Sequence, residues 1–371
     1  MRITRAEINL QAVKANLEAV RRKAGPSVGV MGIVKANAYG HGIIEIAHAL
    51  NKFGIDYLGV GFLEEGILLR NHGITAPILV LGGVLGSQVD EFLEYQLDIT
   101  VSSVEIAEKI NAEAAANPAR RPRVHLKIDT GMERLGVRWE HAERFIEHVA
   151  RLPHLDVIGI YSHFATADER DKSFVNEQMS RFSEVLRKSE RLGLDIRYRH
   201  IANSGALLDV PSSLLNMVRP GILIYGIYPS METSESVDVK PVLSLKSKVV
   251  YLKEIMPGMS VSYGRQFVAD RRTRIATVPI GYGDGYSRQL SNRANVLIRG
   301  GQFRVVGAVC MDQVMVDVGL DAEVHVGDDV TLIGKDGSSE VTVWQIARWM
   351  NTLPYEVLTN IAARVPRYYF E

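Results

Sequence analysis

Gly32-Ile33-Val34-Lys35-Ala36-Asn37-Ala38-Tyr39-Gly40-His41-Gly42 is the stretch on which the reading of the fold turns. It closes a β-rich apolar run, Val28–Val34, and opens a segment of helical period, so it is the first strand-to-helix junction of an alternating series. An open doubly wound sheet would want a G-x-G-x-x-G fingerprint there, and Asn37-Ala38-Tyr39-Gly40-His41-Gly42 does not supply one. Lys35 stands where the strand ends, so its amine would leave a buried run and face a pocket. Desolvation lowers the pKa of such an amine and lets it form a Schiff base or take up a proton. The plainer alternative is a lysine that snorkels from a strand end to water.

Outward from that junction the alternation continues to about residue 225. Short apolar runs fall at Val28–Val34, Tyr57–Val60, Ile78–Leu81, Leu97–Val101, Val124–Ile128, Val157–Tyr161, Tyr198–Ile201 and Met217–Tyr225. Helical patterns lie between them, among them Gly42–Phe53, Val104–Ala116, Trp139–Arg151 and Phe174–Leu192. Eight strands, each followed by a crossover, is the count that closes a parallel barrel inside a ring of helices. The expectation is an α/β chain: an N-terminal (β/α)8 barrel over residues 1–232, then a mostly antiparallel β domain over 233–371. Thr233-Ser234-Glu235-Ser236 reads as the linker. The β runs beyond it are Leu243–Leu252, Arg274–Ile280, Val296–Ile298, Phe303–Val309, Val314–Val318 and Val330–Ile333, with one helix at Val343–Asn351.

Composition narrows the function classes. Lysine plus arginine and aspartate plus glutamate both number 43, giving a formal net charge of zero, and no block of like charge suggests a nucleic-acid surface or a polybasic membrane anchor. A small-molecule substrate is the expected partner. Cys310 is the only cysteine, which excludes an intrachain disulfide framework and a thiolate metal cluster and fits a reducing compartment. No metal-ligand spacing appears among the histidines. Without a signal-peptide core or a long uncharged apolar stretch, a cytoplasmic protein is expected.

In a barrel, chemistry collects just past the C-terminal ends of the strands. There this chain places Lys35 and Tyr39, then Asp129-Thr130-Gly131-Met132-Glu133-Arg134, then Ser162-His163, then Asn203-Ser204-Gly205, and finally Arg219-Pro220-Gly221-Ile222. Loops after strands seven and eight of a barrel commonly bind a phosphate through backbone N–H groups and a short helix N-terminus. Ser204 would cap such a helix. An amine capable of imine formation opposite a phosphate cradle is what pyridoxal 5′-phosphate requires. Bland readings stand beside each residue: an N-cap for Ser204, a satisfied strand-end histidine for His163, a loop ion pair for Arg134 with Glu133, a turn residue for Tyr263. Arg219 is harder to dismiss, because a buried guanidinium needs a partner.

With these residues in view the chain closely resembles alanine racemase, a pyridoxal-phosphate family of fold type III, nearly end to end. The resemblance is carried by Ala6–Leu10, Val34–Gly42, His125–Met132, Ser162–Ala165, Ala202–Ser204, Arg219–Gly221, Val261–Gly264, Pro279–Gly285 and Cys310–Gln313. It implies that Lys35 holds the cofactor as a Schiff base and that Tyr263, contributed by a partner subunit, is the second catalytic base. It makes His163 the hydrogen-bonding partner of Tyr263 and places Arg219 against the pyridine nitrogen. Tyr39, Ser204, Gly221, Ile222 and Tyr355 would then contact the phosphate. Arg134 and the backbone of Met311 would hold the substrate carboxylate, and Lys127 matches a lysine that is carbamylated in many members. Tyr263, Tyr282, Met311 and Asp312 fall in the second domain, so the implied enzyme is a head-to-tail homodimer whose substrate sites are composite.

A guanidinium only donates, so a ring nitrogen facing Arg219 should stay unprotonated and stabilise a carbanion weakly, which suppresses transamination. A non-catalytic pyridoxal-phosphate carrier would lack Tyr263 and the β domain. A barrel decarboxylase would want an acidic partner where Arg219 stands. Serine or a broader set of small amino acids is open as substrate beside alanine, and both a biosynthetic role, supplying D-alanine for peptidoglycan, and a catabolic one are open.

Overall fold

The first strand, β1 (Arg5–Asn9), does not belong with the strands that follow it. After helix α1 (Leu10–Ala24) the chain enters a parallel barrel of β2 (Gly29–Ile33), β3 (Tyr57–Val60), β4 (Ile78–Val80), β5 (Asp98–Val101), β6 (Arg123–Asp129), β7 (Asp156–Tyr161), β8 (Tyr198–His200) and β9 (Met217–Val218). Neighbours in sequence are neighbours in the sheet, and β9 returns to pair with β2 through Met217 opposite Gly29 and Val218 opposite Val30. Between β8 and β9 the gap is bridged just past the strands, where Arg219 N–H donates to the Ala202 carbonyl at 2.9 Å. The barrel is thus nearly closed. Helices α2 (Ile43–Lys52), α3 (Leu63–Asn71), α4 (Val89–Glu94), α5 (Val104–Ala116), α6 (Ala142–Ala150), α7 (Ser173–Arg191) and α8 (Ser204–Asp209) make the crossovers. The structure, a computed structural model, describes residues 2–116 and 121–371.

The eighth strand is shorter than its apolar run. Only Met217–Val218 is strand, and Ile222–Tyr225 is a buried turn in which Ile224, Tyr225 and Gly226 donate back three residues. Pro220 has no N–H to extend a ladder, so its position in the run ends the strand.

The second unit is mostly antiparallel. The main path of its large sheet is made of β1, β10 (Leu243–Lys248), β11 (Tyr251–Ile255), β12 (Thr273–Val278), β13 (Asn295–Ile298), β14 (Gly301–Val305), β15 (Val314–Asp317), β16 (Asp329–Asp336) and β17 (Arg367–Phe370), in the order β11-β12-β15-β14-β13-β16-β10-β1-β17. Only β1 and β17 run parallel. The run Leu243–Leu252 is two strands, broken at Val249 and Val250. Helices α9 (Val343–Met350) and α10 (Pro354–Thr359) complete it. A capping box starts α9: Gln345 N–H donates to Thr342 Oγ1 at 3.1 Å, Thr342 N–H to Gln345 Oε1 at 2.8 Å.

A single boundary after residue 232 does not describe this division. One unit is Val13–Ala38 with Ile43–Lys240; the other gathers the chain up to Ala12, Tyr39–Gly42 and Pro241–Glu371. The cause for β1 is its register: Ala6 and Ile8 are buried on one face, paired with Leu245 and Leu243 across β10. For Tyr39–Gly42 it is backbone recognition, since Arg367 donates to the Gly40 carbonyl from Nε at 3.1 Å and Nη2 at 3.0 Å.

Candidate active site

Lys35 follows β2 directly and begins an unusual backbone segment. Ala36, Asn37, Ala38 and Tyr39 have φ of 52°, 55°, 52° and 52°, one left-handed turn built without glycine. Each such residue costs about 1–2 kcal/mol, so other contacts must hold the turn in place. Ala36 N–H donates to Glu65 Oε1 at 2.7 Å, Asn37 Oδ1 accepts from Ile43 N–H at 2.9 Å, and Ala38 N–H donates to the Val34 carbonyl at 2.8 Å. The turn fixes where the Lys35 side chain leaves the strand. Desolvation at the barrel mouth lowers its amine pKa, the Arg134 charge lowers it further, and Glu65 partly offsets both.

Arg219 is buried just past β9. Its Nη2 group donates to the Ser162 carbonyl at 2.8 Å, the Ile201 carbonyl at 3.1 Å and His163 Nδ1 at 3.1 Å, while Nη1 donates to His200 Nδ1 at 3.0 Å. The guanidinium lies 5.4 Å from the centre of the Tyr161 ring. Burial brings its pKa down to about 10, so it is a cation at neutral pH. The same charge, added to desolvation, holds His163 well below its ordinary pKa. His163 is therefore neutral, accepts at Nδ1 and carries its proton on Nε2.

Lys127 stands on β6 with Nζ 3.0 Å from the Ile128 carbonyl and 5.2 Å from the Tyr161 ring centre. Desolvation first, then Arg219, pulls its amine down to about 7, with Asp129 opposing and Arg134 assisting. Asp129 shapes the next loop, accepting from Gly131 N–H at 2.8 Å, Met132 N–H at 3.0 Å and Arg134 N–H at 3.2 Å. Arg134 is exposed at the end of that loop.

At α8 the cap is Asn203, not Ser204. Asn203 Oδ1 accepts from Ala206 N–H at 3.0 Å, because only a residue one position before the helix has the extended backbone a cap needs. Ser204 is the first helical residue, and its hydroxyl accepts from Gly221 N–H at 3.0 Å. That bond joins the loops after β8 and β9, so Ser204, Gly221 and Ile222 form one polar corner.

The other expected residues lie in the second unit. Tyr39 is buried there, its ring 5.9 Å from that of Tyr355 on α10. Tyr263 is 73 % exposed in a tight turn that follows Ser262 at φ +66°. Tyr282 and Met311 are held together by backbone bonds, Tyr282 N–H to the Cys310 carbonyl at 3.0 Å and Gly283 N–H to the Met311 carbonyl at 2.9 Å. A side chain at Gly281 would collide with those carbonyls. Arg364 braces the same corner, donating to Asp312 Oδ1 at 2.7 Å and Asp284 Oδ1 at 2.6 Å.

Pyridoxal phosphate fits the donor set of the barrel. Lys35 offers an amine of lowered pKa, the Ser204–Gly221 corner offers a hydroxyl and backbone amides, and Arg219 keeps its Nε–H and one Nη1–H without a partner among the described residues. Such a donor set is what the barrel class of pyridoxal-phosphate proteins would need to hold the group.

Similarity to known proteins narrows the class. The N-terminal domain of alanine racemase matches residues 8–229 and its C-terminal domain residues 242–369. The chain belongs to the alanine racemase family. Alanine racemase 2 of Caldanaerobacter subterraneus subsp. tengcongensis is 44 % identical over 370 residues, covering 100 % of this chain and 95 % of its own. Alanine racemase of Clostridium difficile 630 superposes with a TM-score of 0.95 at 40 % identity, covering 100 % of this chain and 96 % of that one. An alanine racemase structure from Bartonella henselae with covalently bound pyridoxal phosphate gives 0.90 at 28 % identity, covering 100 % of both.

Several site residues were not singled out from sequence. Glu65, Tyr57, Asp98, His125, Tyr161 and His200 all line the barrel interior or the Lys35 turn. The signal was present on two strands: Arg123, His125, Lys127 and Asp129 alternate with apolar residues along β6, as do Asp98 and Thr100 on β5, whereas on β8 the charged Arg199 separates Tyr198 from His200. In a strand covered on both sides, a period of two means one face is polar inside the barrel.

Proposed function

We infer that this chain interconverts L-alanine and D-alanine, using pyridoxal phosphate bound through Lys35, with protons exchanged at Cα by Lys35 Nζ on one face and Tyr263 Oη on the other. The observation that carries the reading is Arg219, a buried guanidinium held by four partners beside His163, in a chain of this family. When bound, the cofactor makes the substrate Cα–H acidic by drawing electron density into its ring. Lys35 binds it and, with its lowered pKa, returns to a neutral amine that can take up a proton. By the family resemblance Lys35 serves D-alanine and Tyr263 serves L-alanine. Arg219 directs donors at the ring nitrogen and cannot give up its proton there, so charge is withdrawn weakly and protons go back to Cα. Ser204 and the amides of Gly221 and Ile222, with Tyr39 and Tyr355, hold the phosphate. Arg134, braced by a carbamylated Lys127, and the Met311 backbone hold the substrate carboxylate.

Tyr263, Tyr282 and Met311 are 73 %, 42 % and 53 % exposed. Apolar surface left open in this way supports a second copy covering it, and with it a head-to-tail homodimer in which Tyr263 and Asp312 serve the partner's barrel. Tyr263, Tyr282 and Tyr355 make for a small pocket, which favours alanine over serine. The two-base reading is tested by single turnover of α-deuterated alanine in ordinary water. Product carrying hydrogen from solvent supports it; product that retains substrate deuterium points to one base acting on both faces.

A further inference from the structure

Arg219 is tied to the opposite end of the barrel by a line of buried side chains. Its Nη1 lies 3.0 Å from His200 Nδ1, His200 Nε2 lies 3.0 Å from His125 Nδ1, and His125 Nε2 lies 3.5 Å from Tyr57 Oη and 4.0 Å from Asp98 Oδ2. Tyr57 Oη bonds Asp98 Oδ2 in turn, and Arg123 Nε donates to Asp98 Oδ1 at 2.7 Å. Asp98 and Arg123 line a cleft of about 440 Å³ together with Arg70, Phe92 and Arg121. The line therefore runs from the loops past the strands to the opposite, N-terminal end of β6.

The direction of each bond follows from its ends. A guanidinium only donates, so His200 Nδ1 must accept, and a neutral imidazole that accepts at Nδ1 carries its proton on Nε2. That proton points at His125 Nδ1, which fixes the same tautomer on His125 and aims its Nε2–H at Tyr57 and Asp98. Tyr57 completes the line by donating to the carboxylate. Burial, assisted by the positive charges of Arg123 and Arg219, brings His125 down to about 3, and burial with Arg219 holds His200 well below its ordinary value, so neither imidazole is a cation. Burial pushes Asp98 up to about 7, opposed by Arg123; the line is complete above that pH. The rings are also held in place. His200 stacks on Tyr161 at 4.8 Å and 1°, His125 on Tyr198 at 5.9 Å and 7°, and a Cβ at Gly159 would occupy the space of the His125 ring.

We propose that Asp98 anchors a one-way hydrogen-bond chain, Tyr57–His125–His200, that holds His200 in the tautomer its bond to Arg219 requires and so keeps Arg219 fixed as a donor toward the ring of the bound cofactor. These four are positioning residues, and none touches the reacting atoms. The last link rests on the placing of Arg219 against the cofactor; the tautomers do not.

The test is nitrogen NMR of the holoenzyme labelled with ¹⁵N-histidine, well above pH 7, with His125 and His200 assigned by their single Asn substitutions. Both imidazoles are expected neutral with the proton on Nε2; a proton on Nδ1 of either, or a cation, overturns the chain with no further variant needed. In Asp98→Asn the amide presents a donor to Tyr57, whose hydroxyl turns toward His125 and reverses both tautomers; His200 then turns an N–H toward Arg219 in place of an acceptor, the bond between them breaks, and the cofactor absorbance should shift. Adding Tyr57→Phe removes the hydroxyl that reverses and should restore both. Arg121→Gln, which lines the same cleft outside the chain, should change neither. Unchanged tautomers in a folded Asp98→Asn enzyme refute the chain. Reversed tautomers with an unmoved cofactor spectrum leave the chain standing and refute the link to the cofactor, and with it the placing of Arg219.

Discussion

The Arg219 guanidinium and the His200 imidazole meet 3.0 Å apart, Nη1 to Nδ1, with both residues buried in the barrel. One partner can only donate and the other must accept, so the direction of the bond is settled by the chemistry of the pair. A pyridine nitrogen facing such a donor is not given a proton.

Replacing the donor by an acid reverses that logic. Arg219→Glu should lower racemisation by roughly 10²–10³-fold, the range seen when one preorganised donor is lost. It should also raise the rate at which alanine is converted to pyruvate by side transamination, because a protonated ring holds negative charge longer. Parallel assays of D-alanine and pyruvate formation measure both; loss of racemisation with no gain in pyruvate contradicts the role given to Arg219.

The lowered pKa of Lys127 makes the proposed carbamylation pH-dependent. An amine brought down to about 7 from 10.5 is largely neutral above pH 7, and only the neutral amine adds carbon dioxide. Intact-mass measurement in bicarbonate buffer should show one carbon dioxide per chain above pH 7, lost on acidification and absent in Lys127→Ala. The lowered pKa has a stability consequence too. Between about pH 7 and 10.5 the unfolded chain binds more protons at this site than the folded one, so the unmodified lysine's penalty on stability shrinks as pH rises through that window.

Cap and cradle separate at α8. Asn203→Ala removes the cap and should lower unfolding stability by about 1 kcal/mol, read as a shift in the denaturation midpoint. Ser204→Ala leaves the cap and should weaken retention of pyridoxal phosphate on dialysis, with a smaller effect on unfolding of the cofactor-free protein. Equal effects of both on stability and retention would mean that Ser204 is only a structural member of the helix.

The proposed composite sites predict complementation. Lys35→Ala and Tyr263→Phe, each inactive as a homodimer, should regain on the order of a quarter of the wild-type activity when dissociated and reassembled together, since half the dimers are hybrids with one intact site of two. No recovery would place Lys35 and Tyr263 of the same chain in one site.

Much of this was legible in the sequence, and the remainder has physical reasons for not being so. The barrel strands announce themselves because a strand covered on both sides is a continuous apolar run, as in Tyr57–Val60 and Ile78–Val80. Strand β1 does not, because its partners Leu243–Lys248 and Arg367–Phe370 lie more than two hundred residues away and pairing is a tertiary event. The left-handed turn from Ala36 to Tyr39 runs against the local preference of Ala36, Ala38 and Tyr39, and it is held by tertiary and turn bonds to Glu65, Ile43 and Val34 that no local pattern announces. Lys35, His163 and Arg219 stand out as polar groups ending apolar runs. His125 reads as a member of such a run, since an alternation of two over seven residues is short enough to pass for noise, and on the three-residue β8 Arg199 leaves His200 no alternation to stand out in.

The most direct measurement is the optical rotation of L-alanine over time with purified protein and pyridoxal phosphate, against Lys35→Ala. Decay to zero rotation with the native chain and none with the variant is the predicted result. Steady rotation from a protein that still binds pyridoxal phosphate at Lys35 would contradict the account and turn attention to another substrate or to a non-catalytic carrier.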